Sequence, residues 1–335
     1  MSGSSVIAHK ILVTGATGFI GQHLVPRILN ENCSVKCLAR ASSIRPPAFA
    51  DKIEWVIGDI HDSQSLKDAC RDVEIVIHLA GTIKANDPLE FIRGNAQGTT
   101  NLLNAIESVN NKVRFIYISS LSAAGPSNHW QPKTEEDPAY PISLYGQSKL
   151  QAEIEVLKRK KRLWVAIIRP SVVYGPGDKE TLIFYKTAKS WFMPRLSDHA
   201  KRVSMIYVAD LVELIWLLCQ SDIPSGEIFF AADDREQGYS WEEIIAEAAR
   251  HFPRRRLSIY VPYFLLQAAF FIASRFASWT RRNSMLNRDK YEELRACCWT
   301  CSAAKARQML SFQPQYDLRQ GIDLAIKWYK EQQWL

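Results

Sequence analysis

The stretch Thr14-Gly15-Ala16-Thr17-Gly18-Phe19-Ile20-Gly21 decides the fold. It follows the short apolar run Lys10–Thr14 and opens the segment Phe19–Asn30, whose apolar residues recur at helical spacing. The context is therefore strand, glycine turn, helix, which is what a dinucleotide-binding turn requires. Gly15 permits the tight turn, Gly18 lets the backbone approach a pyrophosphate, and Gly21 lets helix and strand pack closely. Free N–H groups at the helix start, reinforced by the helix dipole, stabilise phosphate charge. Gly15, Thr17, Gly18, Phe19, Ile20 and Gly21 are the cofactor contacts expected from this stretch.

Outward from it, strand-like and helix-like segments alternate. Strands are expected at Lys10–Thr14, Ser34–Ala39, Ile53–Ile57, Ile75–Leu79, Arg114–Ser119 and Trp164–Arg169, all rich in Val, Ile or aromatic residues. Helices are expected at Phe19–Asn30, Ser63–Arg71, Asn95–Ser108 and Leu144–Lys158. Asp62 or Ser63 caps the second of these, and Ser240 with Glu243 opens a later helix, Trp241–Phe252. The alternation predicts an α/β fold: a Rossmann, doubly wound parallel sheet, with a smaller, mostly helical C-terminal lobe. The dinucleotide domain is assigned to residues 8–175, with 205–233 rejoining it through Glu227–Ala231. Residues 176–204 and 234–335 form the substrate lobe.

The end of the second strand bears on cofactor choice. A carboxylate there would hydrogen-bond the adenosine ribose and select NAD. This chain reads Val35-Lys-Cys-Leu-Ala-Arg40, and Arg40 is suited to pair with a 2′-phosphate. NADP is the preferred cofactor, with NAD left open.

Tyr145-Gly-Gln-Ser-Lys149 places a phenol and an ammonium four residues apart, on one face of a helix. A tyrosine ordinarily titrates near ~10, too high for a base at neutral pH. A neighbouring cation favours the phenolate; a lowering of about three units needs roughly 4 kcal/mol, which Lys149 and the positive ring of a nicotinamide are expected to supply together in a dry site. Ser119 and Ser120 sit at the C-terminal end of a predicted strand, where open α/β sheets bind ligands, and a hydroxyl there can hydrogen-bond a carbonyl oxygen. Ser120, Tyr145 and Lys149 are the predicted catalytic residues.

Taken in order, Thr14–Gly21, Gly58-Asp59, His78-Leu-Ala80, Asn95, Ser119-Ser120, Tyr145–Lys149 and Arg169-Pro-Ser-Val-Val-Tyr-Gly-Pro-Gly177 resemble the extended short-chain dehydrogenase/reductase family. That family includes NAD(P)-dependent epimerases and dehydratases, 3β-hydroxysteroid dehydrogenases and dihydroflavonol reductases. The resemblance implies that Asp59 and Ile60 hold the adenine and that Leu79, Ala80 and Gly81 line the phosphate and ribose path. It further implies that Pro170, Ser171, Val172 and Val173 meet the nicotinamide carboxamide, that Lys149 holds the nicotinamide ribose, and that Ser119 belongs to the cofactor side. Asn95 falls on the helix behind the site, and Arg202 only approximately matches the arginine of sugar-nucleotide enzymes. The implied activity is hydride transfer between NADP(H) and a carbonyl or secondary alcohol of a small, fairly apolar substrate. An NAD-dependent nucleotide-sugar epimerase or dehydratase is the alternative, and a non-enzymatic cofactor-sensing protein a third reading.

Of the net charge of +7, residues 251–335 carry 14 Lys and Arg against 6 Asp and Glu, so the basic character lies in the C-terminal quarter. Leu257–Ser274 is an uncharged run flanked by arginines, expected as a buried or groove-lining helix. The region 254–282 is the candidate for peripheral membrane contact. Seven scattered cysteines argue against a disulfide scaffold and for a reducing compartment. Cys297, Cys298 and Cys301 lack the companions of a zinc site, so no metal is expected. Met1–Ser5 has no signal-peptide pattern, which gives a cytoplasmic expectation. A basic–aromatic stripe is missing, so nucleic acid is not an expected partner, whereas a homodimer is. Trp130 and Trp191 are candidates for the substrate cleft.

Overall fold

A computed structural model describes residues 9–85, 87–109, 112–128, 131–196, 201–253, 257–261, 292–293, 296 and 298–335. Its first half runs β1 (Lys10–Thr14), α1 (Phe19–Leu29), β2 (Ser34–Ala39), β3 (Glu54–Ile57), α2 (Ser63–Cys70), β4 (Ile75–His78), α3 (Pro88–Phe91) and α4 (Gly98–Val109). Then follow β5 (Arg114–Ile118), α5 (Leu121–Ala124), α6 (Leu144–Leu157), β6 (Trp164–Pro170) and β7 (Val172–Tyr174). The second half contains α7 (Leu182–Lys189), β8 (Phe192–Leu196), β9 (Arg202–Val203), β10 (Met205–Tyr207), α8 (Val208–Gln220), β11 (Glu227–Ala231), β12 (Tyr239–Ser240) and α9 (Trp241–Ala249). It ends with β13 (Leu257–Val261), β14 (Cys298–Trp299), α10 (Ala304–Leu310) and α11 (Leu318–Glu331).

Seven parallel strands form the central sheet in the order β11-β6-β5-β4-β1-β2-β3. The strand order reverses between β1 and β4, so the crevice for a ligand opens at their C-terminal ends. All four residues of β4 are buried, as are six of the seven in β6. Strands with both faces covered need no polar alternation, which explains their continuous apolar runs. One face packs on α1 and α8 through Leu24, Val25, Ile28, Leu211, Leu214 and Leu218. The other packs on α2, α4 and α6 through Leu66, Leu102, Ile106, Ala152 and Val156. Each of these leucine, isoleucine and valine side chains contributes about 1.5–3 kcal/mol when fully buried.

A third apolar cluster joins α7, α9 and α11 to β10, with Tyr174, Tyr185, Tyr207, Ile322, Ile326 and Tyr329 at its centre. Tyr329 donates from its hydroxyl to the carbonyls of Gly175 (2.9 Å) and Asp178 (2.7 Å), which pins the turn after β7. The lobe is less purely helical than its composition predicts, because β9, β12 and β14 form a small sheet of their own.

Two local expectations need correction. The single helix over 95–108 is a π-helical turn, Ile92–Gln97, running into α4. Asn95 lies within this turn, and its buried side chain accepts from the Thr82 amide and donates to the Thr82 carbonyl in the loop after β4. Such π turns are frequent at functional sites. The apolar segment expected as a helix from Leu257 begins as a strand: β13 pairs in parallel with β8 along Leu257–Val261. Leu-Ser-Ile-Tyr-Val alternates and carries β-branched and aromatic residues, a strand pattern that the overall apolarity hid. Positions 262–274, 254–256 and 275–282, together with His129, Trp130 and Cys297, lie outside the described residues. Asp62, not Ser63, caps α2 by accepting from the Gln64 amide, and Ser240 with Glu243 forms a full capping box on α9. Among the described residues no helix is long and apolar enough to cross a membrane.

Candidate active site

The glycine turn sits at the reversal of strand order. Gly15 has a φ of 77°, and a Cβ there would lie 2.8 Å from the Ala80 amide nitrogen. A Cβ on Gly21 would lie 2.4 Å from the Gly15 carbonyl oxygen, so α1 approaches the turn at a distance only glycine allows. Gly18 caps α1 with no side chain satisfying the helix's first N–H groups. An uncapped helix start at the β1/β4 crevice is an anion site, and these residues fit a dinucleotide pyrophosphate. Leu79, Ala80 and Gly81 follow β4 directly beside it; the Leu79 amide donates to the Thr14 carbonyl at 3.1 Å.

Arg40 follows β2 and is exposed, with no carboxylate at that strand end. Asp59 follows β3 and turns its carboxylate to the His61 amide at 2.9 Å, while Asn101 donates to the Ile60 carbonyl at 3.2 Å. The Asp59–Ile60 turn is thereby fixed against α4. At the other end of the crevice, Pro170, Ser171, Val172 and Val173 leave β6. The Ser171 hydroxyl is buried with no hydrogen-bond partner among the described residues. A buried orphan hydroxyl costs free energy unless something polar meets it, so it too fits a bound carboxamide.

Three elements bring the predicted catalytic residues together. Ser143 caps α6 by accepting from the Gly146 amide at 3.0 Å, which sets where Tyr145 and Lys149 emerge. Lys149 is buried, donates to the Ile118 carbonyl at 2.7 Å, and lies 4.4 Å from the centre of the Tyr117 ring. The Tyr145 hydroxyl is hydrogen-bonded to the Ser120 side chain. Ser120 also caps the short α5 by accepting from the Ser122 amide at 3.1 Å, so the same hydroxyl serves both structure and site. A Cβ on Gly81 would come 3.9 Å from the Lys149 ammonium and 2.7 Å from Asn95 Oδ1. Asn95 in turn accepts from the Thr82 amide (2.8 Å) and donates to the Ser148 hydroxyl (2.8 Å), tying the loop after β4 to α6.

Burial controls the electrostatics. It pushes the Tyr145 phenol up to about 12, opposed by the Ser120 hydrogen bond and assisted by the charge of Glu293. It brings the Lys149 ammonium down to about 7, opposed by Glu153. For the Tyr145 phenol, desolvation is the largest effect, and it favours the neutral form. His78, held between Thr14 and Thr99, is driven down to about 3 and stays neutral.

Several residues at the site went unrecognised in the sequence. Glu153 is paired with Arg169 (2.6 Å) and accepts from Ser119. It stands four residues beyond Lys149 on the same face of α6, a spacing that was legible. Glu293, from the C-terminal lobe, accepts from Ser122 (3.0 Å) and Ser143 (2.9 Å), and nothing local announces it. Arg202 donates to the Gly238 carbonyl at 3.1 Å and pairs with Glu243.

A glycine cradle at a strand-order reversal, with tyrosine, lysine and serine meeting at the neighbouring strand end, defines an NAD(P)-dependent Rossmann enzyme. The chain belongs to the NAD dependent epimerase/dehydratase family, whose model matches residues 11–232, and is of the extended short-chain dehydrogenase/reductase type. It is 30% identical over 326 residues to a ceramide reductase of Caulobacter vibrioides (strain NA1000 / CB15N), covering 97% of this chain and 96% of that one. It is 26% identical to an N-acetyl-alpha-D-glucosaminyl-diphospho-ditrans,octacis-undecaprenol 4-epimerase of Escherichia coli O157:H7, covering 95% of each chain. The fold matches that of a dTDP-glucose 4,6-dehydratase of Bacillus anthracis str. Ames, solved with NAD, at a TM-score of 0.77 and 20% identity over 97% of both chains.

Proposed function

We propose that this protein is an NADP(H)-dependent oxidoreductase that reduces the carbonyl of an apolar, lipid-like substrate or oxidises the corresponding secondary alcohol. The observation that carries the reading is the convergence of Ser120, Tyr145 and Lys149 on the crevice beside the glycine turn. The similarity to a ceramide reductase along nearly the whole chain supports the substrate class. Arg40, with no carboxylate at the end of β2, supports NADP over NAD. The division into a dinucleotide domain (8–175 with 205–233) and a substrate lobe (176–204 and 234–335) belongs to the same proposal.

A nicotinamide cofactor held in the crevice would supply or accept the hydride at the carbonyl carbon. This chain's residues manage the oxygen and its proton. Ser120 donates a hydrogen bond to the carbonyl oxygen as charge develops there. Tyr145, whose buried phenol is pushed up to about 12, stands protonated and passes its proton to that oxygen in the reductive direction. Lys149 stabilises the phenolate left behind and would hold the nicotinamide ribose. Its midpoint, brought down to about 7, lets it return a proton near neutral pH. Trp191 and Leu257, 61% and 66% exposed where β8 and β13 begin, support contact with a lipid surface.

The test is a fluorescence titration of NADPH against NADH, then turnover of a panel holding keto-lipids, steroids and nucleotide sugars. Tighter NADPH binding with turnover of a keto-lipid, abolished by Tyr145→Phe at unchanged cofactor affinity, is the expected result. A Phe variant that keeps its activity would refute the role of Tyr145. The second reading, an epimerase, draws on the similarity to the undecaprenol-linked enzyme. Tightly retained NAD⁺ in freshly purified protein, with sugar turnover and no net redox change, would favour it.

A further inference from the structure

We infer that Glu153 is a positioning residue: paired with Arg169 and Ser119, it supplies the countercharge to Lys149 and ties together the three elements that carry the site. The inference rests on the oxidoreductase reading for its consequence, not for its geometry. Glu153 and Arg169 are buried, with side chains 1% and 5% exposed. The Arg169 guanidinium donates through Nε to both carboxylate oxygens (3.0 and 3.2 Å) and through Nη2 to Oε2 (2.6 Å). The Ser119 hydroxyl donates to Glu153 Oε1.

Each partner adjoins a site residue. Ser119 precedes Ser120 at the end of β5, Arg169 precedes Pro170 and Ser171 at the end of β6, and Glu153 lies one turn beyond Lys149 on α6. One carboxylate thus fixes the relative positions of two strand ends and the catalytic helix. Burying an ion pair is seldom the most stabilising choice, since apolar residues of similar volume serve a core as well. The pair therefore asks for a reason beyond packing.

That reason is charge. Lys149 meets the charge of Glu153 from one turn further along α6, the neutral His78 from β4 and the Tyr117 ring from β5. His78 is neutral, and Glu153 is the anion that acts on Lys149. Without it, the buried ammonium would lose its countercharge and the buried Arg169 guanidinium its partner.

The test reads Lys149 directly. Protein labelled with carbon-13 lysine is titrated by NMR, with Lys149→Arg identifying the signal. Glu153→Gln is expected to lower the Lys149 midpoint by about one to two pH units, the effect of a unit charge one helical turn away at an effective dielectric near 20. The pH profile of kcat should move with it, and kcat should fall more than KM rises. Because removing one partner of a buried pair endangers folding, the double variant Glu153→Met with Arg169→Met serves as the companion. It should fold with a melting temperature close to that of the parent and still show a lowered Lys149 midpoint. A midpoint unmoved in a folded single variant, or restored to the parent value in the double variant, overturns the inference. If the parent protein turns over nothing in the panel, the functional reading fails, while the NMR midpoint still decides the role of Glu153.

Discussion

Replacing Lys149 by methionine should stabilise the cofactor-free protein below neutral pH and destabilise it above pH 10. The lysine midpoint lies at about 7 in the folded protein, against ~10.4 for an unfolded chain. The folded state therefore binds fewer protons than the unfolded state between those two values. Stability of the parent rises with pH across that window, and the penalty for burying the ammonium is fully present below it. At 1.36 kcal/mol per unit the penalty is roughly 5 kcal/mol. Methionine removes it but leaves the Ile118 carbonyl without the ammonium that donates to it at 2.7 Å. That loss costs about 1–3 kcal/mol at every pH. The variant should thus be more stable by roughly 2–4 kcal/mol at pH 6 and less stable by about 1–3 kcal/mol above pH 10. Urea unfolding at several pH values measures this as a crossing of the two stability curves. Turnover of the variant should be lost throughout, a trade of activity for stability. A stability difference that stays constant between pH 6 and pH 10 would show that Lys149 is not held in a desolvating site, and the argument from burial would fail.

Gly21→Ala places a Cβ 2.4 Å from the Gly15 carbonyl oxygen and 2.6 Å from Ala16 Cα, backbone atoms that cannot give way. It should abolish dinucleotide binding in a fluorescence titration, whereas unchanged affinity would mean the turn is not the cofactor site. Arg40→Ala should weaken NADPH by about tenfold or more and leave NADH nearly unchanged, the loss of one charge-assisted contact. Equal weakening of both cofactors would assign the arginine another role. Glu293→Gln removes an anion that holds the Tyr145 phenol up. The alkaline limb of kcat/KM for reduction should move to lower pH, and an unmoved limb would take Glu293 out of the electrostatics of the site.

The sequence by itself determined what local rules govern. Strand and helix periodicity gave the alternation of β1 through β6, and Glu227–Ala231 appeared as a strand with the bounds the structure has. The glycine spacing was legible because close backbone approach leaves no room for any other residue. The i,i+4 spacing of Tyr145 and Lys149 was legible because one helix fixes it. Only the tertiary structure decided what depends on partners distant in the chain. Asn95 sits in a π turn and bonds Thr82 and Ser148 from other elements, contacts that local spacing does not announce. Leu257–Val261 is a strand because β8 pairs with it, and apolarity alone cannot tell a buried strand from a buried helix. The phenol is pushed up by burial, a property of the packed site that the spacing of the phenol and its lysine does not reveal. Glu293 reaches Ser122 and Ser143 across 171 and 150 residues of chain, and contacts of that separation leave no periodic trace in the sequence.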